Sequence, residues 1–128
     1  VGMTINSFST VSLEPPLVLW SIALKAPSLG AFRRNPGFTL NILSDQQQAI
    51  GQQFAQPSRD KFKGIDWQPG YEGTPVIRDS LAVIQCRNYK AYAGGDHEIF
   101  LGEVIDFEST DQKPLVFHCG QFVELADQ

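Results

Sequence analysis

The sequence is short of the residues that several common chemistries require. Its two cysteines, Cys86 and Cys119, are too few for a disulfide framework and suit a reducing compartment such as the cytoplasm. With His97 and His118 they form neither Cys-x-x-Cys nor His-x-x-x-His spacing, so no metal site is expected. There is no Gly-x-Ser-x-Gly elbow for a serine hydrolase and no phosphate-binding Gly-Lys-Ser/Thr loop. Gly-x-Gly-x-x-Gly is also missing, so a dinucleotide, if used, is not held by a Rossmann unit. No apolar run approaches the roughly 20 residues that cross a membrane, and no basic segment leads into an apolar one as in a secretory signal. Basic residues are outnumbered 10 to 14, and the net charge of −4 argues against nucleic acid as a partner.

What is present is an ordinary globular composition, 42% hydrophobic and 19% charged, on 128 residues, enough for one core. Neither a repeat nor a linker divides it, so residues 1–128 are read as one domain. The charge is uneven. Lys25, Arg33, Arg34, Arg59, Lys61 and Lys63 face only Glu14, Asp45 and Asp60 in residues 1–64, a net of +3, which leaves −7 for the second half. A basic half in an acidic protein suits a small phosphorylated ligand; a solvated surface with chance asymmetry explains it equally well.

Met3 to Leu13, rich in Thr, Ser, Val and Ile, is expected to be extended, and Glu14-Pro15-Pro16 breaks it. Leu17 to Leu24 reads as a buried strand. Pro27 to Asn35 reads as a short helix, started by Pro27-Ser28 and stopped by Asn35-Pro36-Gly37. Phe38 to Leu43 alternates as a strand. Ser44 and Gln47 have capping-box spacing, and Ile50 and Phe54 share a face, which predicts a helix from about Asp45 to Phe54. Gln56 to Thr74, with Pro57, Gly64, Pro69, Gly70 and Gly73, is expected to be a loop over a site. Two long strands, Leu81 to Tyr92 and Glu98 to Glu108, flank the hairpin turn Ala93-Gly94-Gly95-Asp96. Ile99-Phe100-Leu101 is apolar on consecutive positions, so both faces of that strand are expected to be covered, one by a barrel interior and one by a partner subunit. Leu115 to His118 and Phe122 to Leu125 supply a last pair around Gly120. Six or more strands, two short helices and no βα alternation indicate a mainly β fold, a barrel rather than a doubly wound sheet.

Three segments could carry chemistry. In an extended Gly2 to Thr10, Thr4, Asn6 and their neighbours two apart point to one side, where hydroxyls and an amide can bond a flat heterocycle; a polar edge strand is the competing account. Lys25-Ala26-Pro27-Ser28 at a helix start suits a phosphate, although many helices begin this way without a ligand. Gly94-Gly95-Asp96-His97 delivers an Asp-His pair to the mouth of a strand. His97 could bond an incoming cofactor with Asp96 fixing its tautomer, or it could be a satisfied structural histidine.

Together these segments resemble the flavin reductase-like, FMN-binding split β-barrel family, which includes the reductase components of two-component flavin monooxygenases. The matching pieces are residues 2–18 (Gly-Met-Thr-Ile-Asn-Ser-Phe-Ser-Thr-Val-Ser-Leu-Glu-Pro-Pro-Leu-Val), 38–43 (Phe-Thr-Leu-Asn-Ile-Leu), 60–62 (Asp-Lys-Phe) and 95–104 (Gly-Asp-His-Glu-Ile-Phe-Leu-Gly-Glu-Val). Each is loose alone; their order and spacing make the match specific. The resemblance implies a Greek-key-like split barrel with two short helices, and an NAD(P)H:flavin oxidoreductase that reduces FMN, or FAD, by hydride transfer with NADH or NADPH. It implies a homodimer and a flavin-dependent monooxygenase as recipient of the reduced flavin. It assigns Thr4, Asn6, Ser7 and Ser9 to the flavin ring and ribityl chain, Ser21 to the adjoining strand, Ala26 and Ser28 to the phosphate, Lys61 and Phe62 to a further flavin contact, and His97 to the nicotinamide nucleotide. No protein acid or base is expected in the hydride step. Family members carry a helix and a first barrel strand ahead of Gly2-Met3-Thr4, so the chain is expected to be N-terminally partial. A non-catalytic flavin- or haem-binding barrel and a purely structural dimerisation barrel remain the alternatives.

Overall fold

The computed structural model describes residues 1–5, 8–58, 60–118 and 121–123. Nine strands and two short helices are described, in the order β1 (Ser9–Leu13), β2 (Pro16–Ala23), α1 (Leu29–Arg34), β3 (Gly37–Ile42), α2 (Gln48–Ala55), β4 (Trp67–Pro69), β5 (Pro75–Ile77), β6 (Ala82–Gly94), β7 (His97–Ser109), β8 (Val116–His118) and β9 (Gln121–Val123). The main sheet is antiparallel with spatial order β1-β2-β7-β6-β3; β4-β5 and β8-β9 are separate two-stranded pairs. No helix among the described residues is long and apolar enough to cross a membrane.

Period-2 alternation decides which side is core. Val18, Trp20 and Ile22 of β2, Phe100 of β7, Ile84 and Cys86 of β6, and Phe38 and Leu40 of β3 point to one face and form a continuous buried cluster with Leu29 of α1. Trp20 stands at its centre. Its ring stacks on Phe100 at 5.5 Å and meets Phe32 and Phe38 edge-on at 4.9 and 5.9 Å. Burying such a side chain stabilises the fold by about 1.5–3 kcal/mol, before the geometric gain of the ring pairs.

The β6–β7 hairpin is the backbone of the sheet, paired from Ala82↔Ser109 to Gly94↔His97 with register shifts between Gln85 and Cys86 and between Asn88 and Lys90. Each bulge turns the strand and adds twist, which curls a long hairpin around a core. The two-residue turn holds Gly95 at φ 71°, a conformation that costs glycine nothing.

Three expectations are corrected. The strand expected from Met3 begins only at Ser9; residues 1–5 and Phe8 are irregular, so period-2 sidedness does not apply to Thr4. The helix expected from Asp45 starts as a 3₁₀ turn, Asp45–Gln47, before α2; Gln47 Oε1 accepts the Ser44 N–H at 2.9 Å, as capping-box spacing requires. The expected loop 56–74 contains β4 and most of a hairpin whose second strand is β5. Within Ile99-Phe100-Leu101, Phe100 is buried in the core, and Ile99 and Leu101 on the opposite face are partly buried within the single chain. The last strand pair is present as β8-β9, with Val116↔Val123 in register, while Gly120, Glu124 and Leu125 lie outside the described residues.

Candidate functional site

β2 lies between β1 and β7, and its outward side chains are Leu19, Ser21 and Ala23, opposite Leu101, Ile99 and His97 of β7. The segment Met3–Ile5, with Phe8, passes beside this strand and closes a cleft of about 340 Å³. Thr4, Ser9, Ser21 and His97 all line it, together with the apolar Met3, Leu19 and Ala23. Ser9 and Ser21 are exposed, so their hydroxyls are available in the cleft. Four of the ten residues assigned from sequence therefore meet in one place, drawn from the irregular N-terminal segment and from three adjacent strands.

His97 Nδ1 lies 2.8 Å from Asp96 Oδ1. A carboxylate only accepts, so Nδ1 is the donor, and Nε2 is the ring atom left for a ligand. The same bond holds the Asp96 carboxyl below its ordinary range. Asp96 is otherwise exposed, and its backbone oxygen accepts the Leu24 N–H at 2.9 Å, tying the hairpin turn to the end of β2.

The other assigned residues are placed differently. Ala26 packs against the core cluster, and the Ser28 hydroxyl sits 3.8 Å from Met3 Sδ, so the 26–28 segment borders the N-terminal segment without lining the cleft. Thr4 lines the cleft with its hydroxyl already donated to the Gly51 carbonyl at 2.7 Å, which fastens the N-terminal segment to α2. Lys61 donates to the Phe54 carbonyl at 3.0 Å. Phe62 lines a second, larger cavity of about 600 Å³, bounded also by Phe32, Phe38 and Phe54, and it packs edge-on against Phe54 at 4.9 Å. The two cavities share one wall: Met3, Thr4, Ile5, Phe8 and Trp20 border both. Gly2 permits this arrangement, because a Cβ there would lie 2.8 Å from the Phe54 ring and 3.3 Å from Phe62. Asn6 and Ser7 lie outside the described residues.

Sequence reasoning missed the apolar part of the cleft, Met3, Leu19 and Ala23. Leu19 and Ala23 were recoverable, since they sit two residues either side of Ser21 and share its face of β2. It also treated Arg33 as a cation for a phosphate, whereas Arg33 is paired with Glu98. Among the described residues no group of three or more His, Cys, Asp or Glu side chains could hold a metal ion.

The family profile described as flavin reductase like domain matches residues 1–126. The chain belongs to the flavin reductase-like family. It is 41% identical over 128 residues to the FMN reductase (NADH) SmoA of Agrobacterium fabrum, covering 100% of this chain and 73% of that protein. It is 38% identical over 123 residues to HsaB, the reductase subunit of a flavin-dependent monooxygenase from Rhodococcus jostii, covering 95% of this chain and 63% of that one. Among solved structures it matches the Streptomyces globisporus NADH:FAD oxidoreductase SgcE6, in complex with NAD and FAD fragments, with TM-score 0.91 and 38% identity over 97% of this chain and 76% of that one. The expected class, a mainly β flavin reductase split barrel with two short helices, is borne out. For a flavin reductase-like domain, a cleft of mixed hydroxyl and apolar lining with a histidine at its mouth fits a flat, polar-edged ring better than it fits an ion.

Proposed function

We propose that this domain is an NAD(P)H-dependent flavin reductase that takes FMN or FAD, with NADH as the nicotinamide substrate, and delivers reduced flavin to a partner oxygenase. The observation that carries this reading is the convergence of Thr4, Ser9, Ser21 and His97 on one cleft. When bound there, flavin and nicotinamide supply the hydride exchange between their own rings. The protein's share is to hold the rings in contact and exclude water. Leu19, Ala23 and Met3 offer the apolar faces, and Ser9 and Ser21 offer hydroxyls to the polar ring edge. Asn6 and Ser7 extend the same polar run by sequence. Ala26 and Ser28, just ahead of α1, are assigned to the flavin phosphate by the family resemblance, as Lys61 and Phe62 are to a further flavin contact; Lys61 bonds the Phe54 carbonyl of α2 and Phe62 packs on the Phe54 ring. His97, its Nδ1 fixed by Asp96, presents Nε2 to the nicotinamide nucleotide.

A homodimer accords with the outer face of the sheet, where Leu19, Ile99 and Leu101 lie side by side with Tyr92, 44% exposed. A second copy on that face would also roof the cleft. A cytoplasmic setting accords with Cys86 as a buried free thiol. The deciding experiment adds FMN or FAD to the purified protein and follows NADH and NADPH consumption by absorbance. Turnover of NADH with FMN or FAD is the expected result, and consumption of NADPH alone would overturn the choice of nucleotide. Flavin binding without consumption of either nucleotide would move the protein to the non-catalytic class, and no flavin binding at all would refute the site.

A further inference from the structure

The cleft histidine opens β7 directly after the hairpin turn: its backbone is paired with Gly94 of β6 and Ala23 of β2, while its side chain is open to solvent. Gly95, Asp96 and His97 are all exposed, and a two-residue turn of this kind has little packing of its own. One residue further on, Glu98 points to the opposite face of β7, level with Ile22 across the β2 register and with Ala93 across the β6 register. Its side chain is only 14% exposed. There two guanidinium nitrogens of Arg33 converge on Glu98 Oε2, Nη2 at 2.6 Å and Nε at 2.7 Å. A carboxylate so far withdrawn from water needs such a partner, and the fork of arginine fixes direction as well as charge.

Arg33 is itself held in place. It belongs to α1, whose Leu29 is buried in the core and whose Phe32 packs on Trp20 at 4.9 Å. The pair therefore joins a rigid helix to an exposed turn, and the turn is the partner that would move if the link were cut. The Leu24 N–H to Asp96 oxygen bond is a separate, single-point link that ties the turn to the end of β2 and not to α1.

Resting on the function proposed above, we propose that Glu98 is a positioning residue for the nicotinamide nucleotide: its ion pair with Arg33 clamps the Gly94–His97 turn to α1 and so fixes where His97 stands in the cleft. Glu98 is not among the residues that line the cleft, so it acts through the turn and not by contact. The clamp bears on His97 and leaves Ser9 and Ser21 where the sheet puts them.

Glu98→Gln, which keeps shape and removes charge, is the primary test, and Arg33→Gln is the second variant because Arg33 is half-exposed and tolerates change. Four quantities are read: amide hydrogen exchange of residues 94–97 in the ligand-free protein, the dissociation constant of flavin, the KM for NADH, and the Kd of NAD⁺ for flavin-loaded protein. The expected result is faster exchange confined to the turn, flavin affinity within about twofold of wild type, and a rise of roughly three- to tenfold in NADH KM and NAD⁺ Kd. Arg33→Lys, which keeps the charge and loses the fork, should recover part of the loss, and the Arg33→Gln/Glu98→Gln pair should be no worse than either single change. Unchanged exchange and unchanged nucleotide affinity, or equal weakening of flavin and nucleotide, would overturn the inference while leaving the reductase standing. A wild-type protein that consumes no NADH or NADPH with any flavin would overturn both.

Discussion

Replacing His97 by alanine separates the role of this histidine in ligand binding from a role in folding. The imidazole is about half-exposed, and among the described residues its polar partner is Asp96, itself exposed. It belongs to no part of the buried cluster, so removing it opens no cavity and strands no buried polar group. The melting temperature should therefore stay within about 3 °C of wild type. The nucleotide side is different. One hydrogen bond from Nε2 is worth about 0.5–1.5 kcal/mol net, which corresponds to about a two- to twelvefold rise in the KM for NADH. Flavin, proposed to rest on Ser9, Ser21 and the N-terminal segment, should bind within about twofold of its wild-type affinity. The assay is a pair of titrations, NADH varied at saturating flavin by absorbance, and flavin varied without NADH by fluorescence quenching. Equal loss of both affinities, or a large fall in melting temperature, would show that His97 is a structural residue.

Other regions give further tests. Ile22 is 1% exposed at the centre of the sheet, so Ile22→Ala should cost about 2–5 kcal/mol in denaturant unfolding, and a loss below about 1 kcal/mol would contradict the packing described. Burial pushes the Cys86 thiol up to about 12, so an alkylating reagent at neutral pH should label it only after unfolding, as peptide mapping by mass spectrometry will show. The His97 hydrogen bond lowers the folded pKa of Asp96, so its contribution is present above the ordinary carboxylate range and is lost as pH falls through the lowered value. The melting-temperature difference between wild type and Asp96→Asn should accordingly be largest near neutrality and vanish in acid; a difference that grows on acidification would reverse the assigned sign.

The sequence by itself determined the strands with clean alternation, the two short helices and the hairpin turn, because these rest on near-neighbour physics. Phe38 to Leu43 alternates, Ser44 and Gln47 stand at capping distance, and glycine at position 95 accepts positive φ without cost. Order and spacing of four short segments were enough to place the chain in its family, and Thr4, Ser9, Ser21 and His97 did converge on one cleft. Only the tertiary structure decided that residues 1–5 are irregular, since the Thr4 hydroxyl finds its partner in Gly51, 47 residues away, and not in a neighbouring strand. It also decided that Lys61 bonds the Phe54 carbonyl and that Arg33 is taken by Glu98 from 65 residues further along. A charged side chain can reach many groups, and which one it meets depends on how the sheet curls and where α1 docks. Those are properties of the packed core, which local sequence does not encode.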